Sequence, residues 1–252
     1  MKFSVVMPIH NENKLLPYSL PSIYDLKPDE VILIFDRCTD SSMEIAKKIA
    51  THYRYTQQTR FVELNEPSPE WRFRVAFLRR HAFRLARNDV ILNTDADTIL
   101  DPRIVEYLHS INRNRIALVS FGRRPYPLTF QEFIGRIVFV FSKLGFTGIY
   151  AFSKRVWLET ENQNSVKKIV RAEDAYLCRS IAKKYRTVYV RTNSIHLRPE
   201  EKPNRHFMRG FTYWSVRHKP LWKAVLHSII YFRPLLLAGY LQARLRSTSD
   251  AE

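Results

Sequence analysis

The first half of the chain alternates short apolar segments with amphipathic ones, and this alternation restricts the possible fold more than any other feature. Strands are predicted at Phe3–Ile9, Glu30–Phe35, Arg60–Leu64 and Val90–Thr94. Helices are predicted between them, at Asn13–Tyr24, Ser41–Tyr53 and Arg72–Ala86. Short apolar strands separated by helices predict a mostly parallel sheet with right-handed crossovers. At 252 residues, the chain is long enough for one large α/β domain with an appendage.

Polar residues follow three of these strands at the point where each strand ends. They are His10, Asn11 and Glu12 after the first strand, Asp36 after the second, and Asp95 and Asp97 after the fourth. The carboxyl ends of parallel strands meet at one edge of a sheet, and ligands of open α/β sheets bind there. Closely spaced carboxylates repel each other and persist where a cation or a ligand holds them. The alternative for the Asp-x-Asp segment is a solvated turn.

The second half is less regular, and its composition changes after His196. Predicted elements are strands at Ile116–Phe121, Gly145–Phe152 and Thr187–Arg191, and helices at Phe130–Phe141 and Ala172–Lys184. A proline-flanked polar loop and a basic, apolar tail follow. We therefore expect a catalytic domain at residues 1–198, with a nucleotide-binding half at 1–100 and an acceptor half at 101–198, and a helical tail at 199–252.

Four motifs in a fixed order resemble those of the inverting glycosyltransferases of family 2. They are Pro8-x-x-Asn11-Glu12, Asp36-x-x-Thr39-Asp40-x-Ser42, Asp95-x-Asp97 and Glu173-Asp174. The resemblance covers roughly residues 1–198. It implies the GT-A fold, a Rossmann-like mixed and mostly parallel sheet flanked by helices. It also implies an enzyme that moves a sugar from a nucleotide-diphosphate sugar to an acceptor hydroxyl or a lipid phosphate.

The resemblance also implies roles for individual residues. Asp36 would contact the nucleobase, and Pro8, His10, Asn11 and Glu12 would line the same pocket. Asp95 would lie near the ribose and the metal, and Asp97 would bind Mg²⁺ or Mn²⁺, hard cations suited to carboxylate and pyrophosphate oxygens. His196 would be a further metal ligand, or else a histidine satisfied in a loop. Asp174 would be the general base, and Glu173 would support it or bind the acceptor. Asp40 is also interpreted as a helix N-cap.

Arginines are concentrated in the helix before the Asp-x-Asp strand. Arg79 matches the arginine of the family's Ala-Arg-Asn-x-Gly helix near the donor pocket, although Arg80 and Ala82 replace the asparagine and the glycine. Most of the others are expected on a solvated basic face; they are Arg72, Arg74, Arg80, Arg84 and Arg87. Arg209 loosely resembles the arginine of a Gln/Arg-x-x-Arg-Trp segment that closes over the pyrophosphate in processive members.

The net charge of +17 predicts an anionic partner. In the tail, Arg233 and Pro234 interrupt an apolar stretch and argue against a membrane span. Two short helices in the interface of an anionic membrane fit better, holding the enzyme near a lipid-linked or glycan acceptor. The alternative is a tail packed on the domain or in a dimer. Two distant cysteines favour a reducing compartment, so we expect a cytoplasmic protein at the cytoplasmic membrane face.

Two other functions stay open at this point. A sugar nucleotidyltransferase would need a glycine-rich phosphate loop after the first strand, and residues 8–16 contain no glycine. A basic module that binds nucleic acid or a membrane surface without catalysis would also fit the charge. Acidic clusters at the predicted cleft argue against nucleic acid as a partner.

Overall fold

The structure is a computed structural model, and it describes residues 1–66, 74–112, 116–126, 148–163, 173–197, 206–211, 220–230 and 233–249. Within these ranges, the side chains of residues 125, 162–163, 173–176 and 246–249 are not described. The chain divides into two compact units. The first comprises Met1–Arg124 and Gly145–Leu197, and the second comprises Pro125–Leu144 and Arg198–Glu252. The expected division of the chain at residue 198 stays a prediction.

In the described residues, the strands form one eight-stranded sheet with the order β3-β2-β1-β4-β7-β6-β8-β5. Its members are β1 (Phe3–Ile9), β2 (Glu30–Asp36), β3 (Thr59–Leu64), β4 (Val90–Asn93), β5 (Thr98–Ile99), β6 (Ile116–Pro125), β7 (Ile149–Ser153) and β8 (Arg186–His196). The helices of the first unit are α1 (Leu16–Tyr24), α2 (Ser42–His52), α3 (Arg74–Leu85), α4 (Ile104–Leu108), α5 (Lys154–Gln163) and α6 (Glu173–Ala182).

The half of the sheet formed by β3, β2, β1 and β4 is parallel. Alternate residues of its central strands point to opposite faces, where helices cover them. Val5 and Met7 pack in one core cluster with Leu20 of α1. Val6 packs in a second cluster with Phe83 of α3. Because both faces are covered, β2 is buried along its whole length, as its unbroken apolar run requires.

The other half of the sheet is antiparallel, so the sheet is mixed. β4 pairs with β7, and β7 pairs with β6. The two-residue strand β5 pairs with the end of β8, with Thr98 opposite His196. The predicted fold class, a GT-A-type mixed sheet flanked by helices with a helical extension, is confirmed.

Several boundaries differ from the sequence-based prediction. β8 extends to His196, beyond the predicted end at Arg191, and β5 was not predicted. α1 begins at Leu16 instead of Asn13. The predicted apolar helix Phe130–Phe141 lies outside the described residues.

The second unit contains a helical stretch at 206–211, α7 (Leu221–Ile230) and α8 (Pro234–Ser249). Ala224, Leu236 and Tyr240 form its small buried cluster. Two glycines allow backbones to approach closely, since a Cβ on Gly210 would meet the carbonyl of Leu236 and one on Gly239 would meet the carbonyl of Phe207. In the part of the chain that the structure describes, no helix has the length and apolar character needed to cross a membrane.

Candidate active site

The loops that follow β1 and β2 are joined by side-chain hydrogen bonds. His10 Nδ1 donates to the backbone carbonyl of Asp36 at 2.6 Å. The backbone N–H of Thr39 donates to Asn11 Oδ1 at 2.8 Å, and Asn11 Nδ2 donates to Thr39 Oγ1 at 3.2 Å. Asn11 has a φ of 54°, a left-handed conformation that asparagine tolerates better than most residues. The two predicted donor-binding loops therefore form one connected edge.

Asp40 supports this edge from the start of α2. Its Oδ1 accepts hydrogen bonds from the backbone N–H of Ser42 at 3.0 Å and from its hydroxyl at 2.6 Å. Its Oδ2 accepts from the backbone N–H of Asn13 at 3.1 Å, and the backbone N–H of Glu12 donates to Ser42 Oγ at 2.8 Å. Burial raises the pKa of Asp40, but the hydrogen bonds lower it by more, so the pKa lies below its ordinary value. The N-cap of α2 is Ser41, so Asp40 closes a turn onto Ser42 one residue before the helix and is not the N-cap that the sequence predicted.

Asp36, at the end of β2, is buried against two arginines. Nη2 of Arg74 lies 2.6 Å from its Oδ1, and Nε of Arg74 donates to the same oxygen at 2.8 Å. Nε of Arg37 lies 3.1 Å from Oδ1 as well. Burial raises the pKa of Asp36, yet the two guanidinium groups outweigh burial and leave the pKa below its ordinary value. Asp36 is therefore an ionised carboxylate with a fixed orientation.

Arg37 adopts a strained backbone conformation beside Asp36. Its φ is 46°, in the left-handed region that costs a side-chain-bearing residue about 1–2 kcal/mol. The side chain of Arg37 is partly exposed, so its pairing with Asp36 is screened by solvent. A strained residue directly after a strand is common where a loop serves a ligand.

Asp95 is held between two arginines from different elements. Nη2 of Arg79, a buried residue of α3, lies 2.5 Å from Oδ1 of Asp95. Nη1 of Arg123, in β6, lies 3.2 Å from Oδ2 and 3.4 Å from Thr98 Oγ1. Gly148 lies so close that a Cβ on it would overlap Oδ2 of Asp95. Each carboxylate oxygen of Asp95 therefore contacts an arginine, and the absence of a side chain at Gly148 leaves space for the carboxylate.

Asp97 and His196 are brought together by the pairing of β5 with β8. Nε2 of His196 lies 3.3 Å from Oδ2 of Asp97, and both side chains are largely buried. The backbone N–H of Leu197 donates to the carbonyl of Asp97 at 2.8 Å, which fixes the two segments to each other. Two of the three predicted metal ligands, Asp97 and His196, therefore lie side by side. Asp95 is instead engaged by arginines.

This pair fits a divalent cation that takes its other ligands from a substrate. Among the described residues, no group of three or more His, Cys, Asp or Glu side chains is arranged to hold a metal ion. Mg²⁺ is normally held by one or two carboxylates together with substrate phosphates, so a dedicated cage is not needed. Asp97 would supply a hard oxygen ligand, and the imidazole of His196 would suit Mn²⁺ better than Mg²⁺.

The remaining predicted site residues lie in three places. Pro8 is near the end of β1, opposite Ile34 of β2. Glu173 and Asp174 are in the first turn of α6, but their side chains lie outside the described ones, so their catalytic roles stay predictions. Arg209 belongs to the second unit, and its contact with a diphosphate also stays a prediction.

Three residues of the site escaped the sequence-based interpretation. Arg74 was expected on a solvated basic face but is buried with Asp36. Arg123 and Gly148 contact Asp95 from β6 and from the residue preceding β7. The signal for Arg74 was its place in the first turn of α3, beside the carboxyl ends of the strands. Nothing local in the sequence marks Arg123.

A curled α/β sheet with carboxylates and arginines at the carboxyl ends of its parallel strands defines the class of protein, a GT-A-type nucleotide-sugar transferase. Residues 4–219 match the profile of the family described as Glycosyl transferase family 2. The chain therefore belongs to glycosyl transferase family 2. This membership selects the glycosyltransferase from the functions that the sequence left open. No curated protein matches the chain.

Solved structures share the fold at low sequence identity. A mannosyltransferase from Pyrobaculum calidifontis, PcManGT, is 18% identical, with a TM-score of 0.65; the match covers 99% of this chain and 79% of that one. Residues 1–349 of S. aureus TarS, solved with UDP-GlcNAc, are 14% identical, with a TM-score of 0.56 and coverage of 85% and 67%. Glucosyl-3-phosphoglycerate synthase from Mycobacterium tuberculosis is 16% identical, with a TM-score of 0.53 and coverage of 87% and 79%.

Proposed function

We propose that this glycosyltransferase inverts the anomeric centre of a nucleotide-diphosphate sugar, using a divalent metal and an aspartate base. The observation that carries the proposal is the contact between Asp97 and His196. Asp97 lies two residues after the arginine-bound Asp95, and His196 is the last residue of β8. Family membership supports the transfer of a sugar, and this pair supports the use of a metal.

The donor nucleoside is proposed to bind beside β1 and β2. Asp36 is ionised and oriented by Arg74, so it can accept hydrogen bonds from N–H groups of a base. The connected loops of His10, Asn11 and Glu12 form the adjoining wall. Because these loops are already tied by hydrogen bonds, they lose little conformational freedom when the donor binds.

The diphosphate is proposed to lie near Asp95 and Asp97. The P. calidifontis mannosyltransferase was solved in complex with GDP-Man and Mn²⁺, and the M. tuberculosis synthase with Mn²⁺ and UDP. In this chain, Asp97 and His196 would hold the cation, and the cation would supply Lewis-acid stabilisation of the departing nucleoside diphosphate. Arg79 and Arg123 keep Asp95 oriented towards the ribose side of the donor.

Asp174 is proposed to accept the proton of an acceptor hydroxyl. The acceptor oxygen forms a bond to the anomeric carbon while the bond from that carbon to the diphosphate breaks, and the electron pair leaves with the nucleoside diphosphate. Asp174 lies in the N-terminal turn of α6, where a helix dipole stabilises negative charge, and Glu173 would support the base or bind the acceptor. A lipid phosphate acceptor would already be anionic and would not need this base.

The experiment is calorimetry of donor binding with and without Mn²⁺, using UDP- and GDP-sugars and matched single variants. Asp97→Ala should lose the Mn²⁺-dependent part of binding, whereas Asp25→Ala, which removes an exposed carboxylate at the end of α1, should keep it. Asp174→Asn should bind donor normally but transfer roughly 100-fold more slowly to a hydroxyl acceptor, the usual contribution of a general base. Unchanged Mn²⁺ dependence in Asp97→Ala would refute the metal site.

A further inference from the structure

Helix α7 carries large apolar side chains on its solvent-exposed side. Trp222, Leu226 and Ile229 follow each other at helical spacing and are 60%, 48% and 66% exposed. The opposite side of α7 is buried, and it carries the small residues Ala224 and Ser228. A helix that only packs on its own unit normally has the reverse arrangement, with large apolar residues inside.

Helix α8 is apolar on two opposite sides. Leu236 and Tyr240 are buried within the second unit, where α7 and α8 contact each other. Leu235, Leu241 and Leu245 form an exposed stripe on the other side, with exposures of 41%, 42% and 69%. The inner side accounts for the packing of the unit. The outer stripe lies on the side of α8 that faces away from the buried cluster.

The sequence interval that contains these two helices carries charges of one sign. No Asp or Glu occurs between Glu201 and Asp250, and nine Lys or Arg residues lie in that interval. Lys223 is exposed on α7 with its Nζ 5.1 Å from the Trp222 ring centroid, and Arg244 is exposed on α8. Apolar stripes flanked by cationic side chains are typical of helices that lie in the interface of an anionic membrane.

We propose that the exposed stripes of α7 and α8, together called the outer apolar faces, bind the surface of an anionic lipid bilayer. The apolar side chains enter the boundary between headgroups and acyl chains, and Lys223 and Arg244 contact lipid phosphates. A second copy of the chain is a poorer occupant, because pairing these faces would bring Lys223 and Arg244 of each copy together, and the chain has no Asp or Glu between Glu201 and Asp250 to pair with them.

This inference deepens the proposed function, because it assigns the transferase to a surface where a lipid-linked acceptor is available. Membrane binding itself does not depend on catalysis. The two can therefore be tested separately on the same protein preparations.

The test is co-sedimentation of the full chain with phosphatidylglycerol–phosphatidylcholine vesicles, compared with pure phosphatidylcholine vesicles. The wild type should bind the anionic vesicles and dissociate from them as salt is raised, since phosphate–lysine contacts are screened. Trp222 emission, taken as the difference between the wild type and Trp222→Phe, should shift to the blue on binding because its ring leaves water.

Matched variants locate the binding surface. Leu226→Gln should weaken vesicle affinity by about fivefold to tenfold, the loss expected for a half-exposed leucine that no longer enters the bilayer. Leu158→Gln makes the same change at an exposed leucine of α5 and should have no effect. Lys223→Gln should weaken the affinity for anionic vesicles about fivefold. Lys48→Gln, at an exposed position of α2, should not change the affinity for either vesicle type. Circular dichroism checks that each variant is folded.

The double variant Leu241→Gln/Leu245→Gln tests α8 independently, and it decides the matter if the α7 variants do not fold. The proposal is overturned if the wild type does not bind anionic vesicles, or if folded variants of both helices bind as well as the wild type. It is also overturned if light scattering reveals a dimer that Leu226→Gln dissociates while vesicle binding is absent. Calorimetric donor binding should be unchanged in every variant, so its loss would concern the proposed function instead.

Discussion

Replacing Gly148 with alanine should disable the proposed donor site without removing any of its functional groups. A Cβ at this position would overlap Oδ2 of Asp95 and lie 3.2 Å from Nη1 of Arg123. Ordinary van der Waals separation requires the carboxylate to retreat by about 1 Å, and a misplacement of this size typically reduces turnover by about 100-fold. The retreat would also lengthen the contacts of Asp95 with its two arginines.

The fold itself should tolerate this substitution. Weakening two charge-assisted hydrogen bonds of the partly exposed Asp95 lowers the free energy of unfolding by about 1 kcal/mol. Replacing glycine also reduces the conformational entropy of the unfolded chain, which raises the free energy of unfolding by about 0.5–1 kcal/mol. Net stability should therefore change by less than about 1 kcal/mol, while activity falls by two orders of magnitude.

The assay measures turnover and donor affinity together with urea unfolding, and the control is Gly122→Ala. A Cβ at Gly122 would also overlap the end of a side chain, but that side chain is Tyr189, which is not part of the proposed site. Gly122→Ala should keep its activity. If Gly148→Ala retains wild-type turnover and donor affinity, the position of Asp95 does not matter for the reaction, and its assignment to the donor site is wrong.

Two further predictions concern buried charge. Among the described residues, Arg74→Met leaves the buried Asp36 with the partly exposed Arg37 as its cationic partner, so urea unfolding should reveal a loss of about 3 kcal/mol in the free energy of unfolding. Arg84→Met, at an exposed ion pair, should lose less than about 1 kcal/mol. Burial lowers the pKa values of His206 and His227 from 6.5 to about 4, so stability present above pH 6.5 should decline towards pH 4, because only the unfolded chain takes up the protons. In urea unfolding, His227→Gln should reduce the loss of unfolding free energy between pH 6.5 and pH 4. If the variant has the same pH profile as the wild type, His227 does not cause this loss.

The parallel half of the sheet was predictable because its sequence is locally consistent. The strand Phe3–Ile9 was predicted with the bounds that the structure gives it, since an unbroken apolar run between polar residues allows few alternatives. The two predicted tail helices, interrupted at Pro234, also match α7 and α8, because proline lacks a backbone N–H and is favoured at a helix start.

The antiparallel half was harder to predict, for a physical reason. β5 is only two residues long, and its pairing with β8 depends on a contact between residues almost 100 positions apart, which leaves no local pattern. Arg123 was missed for the same reason, because only the pairing of β6, β7 and β4 brings it to Asp95. The motifs predicted Arg79 beside the carboxylates, but not that Arg74 pairs with Asp36 or that Arg123 pairs with Asp95.

The pairing of Thr98 with His196 means that the geometry of the proposed cation site is encoded in strand register. Side chains on a strand alternate between faces, so a slip of one residue would turn the imidazole away from Asp97. Inserting a single residue before Thr98 would therefore separate the two ligands while leaving both in the sequence. Attempts to transplant this site into another protein must copy the two-strand pairing along with its histidine and its aspartate.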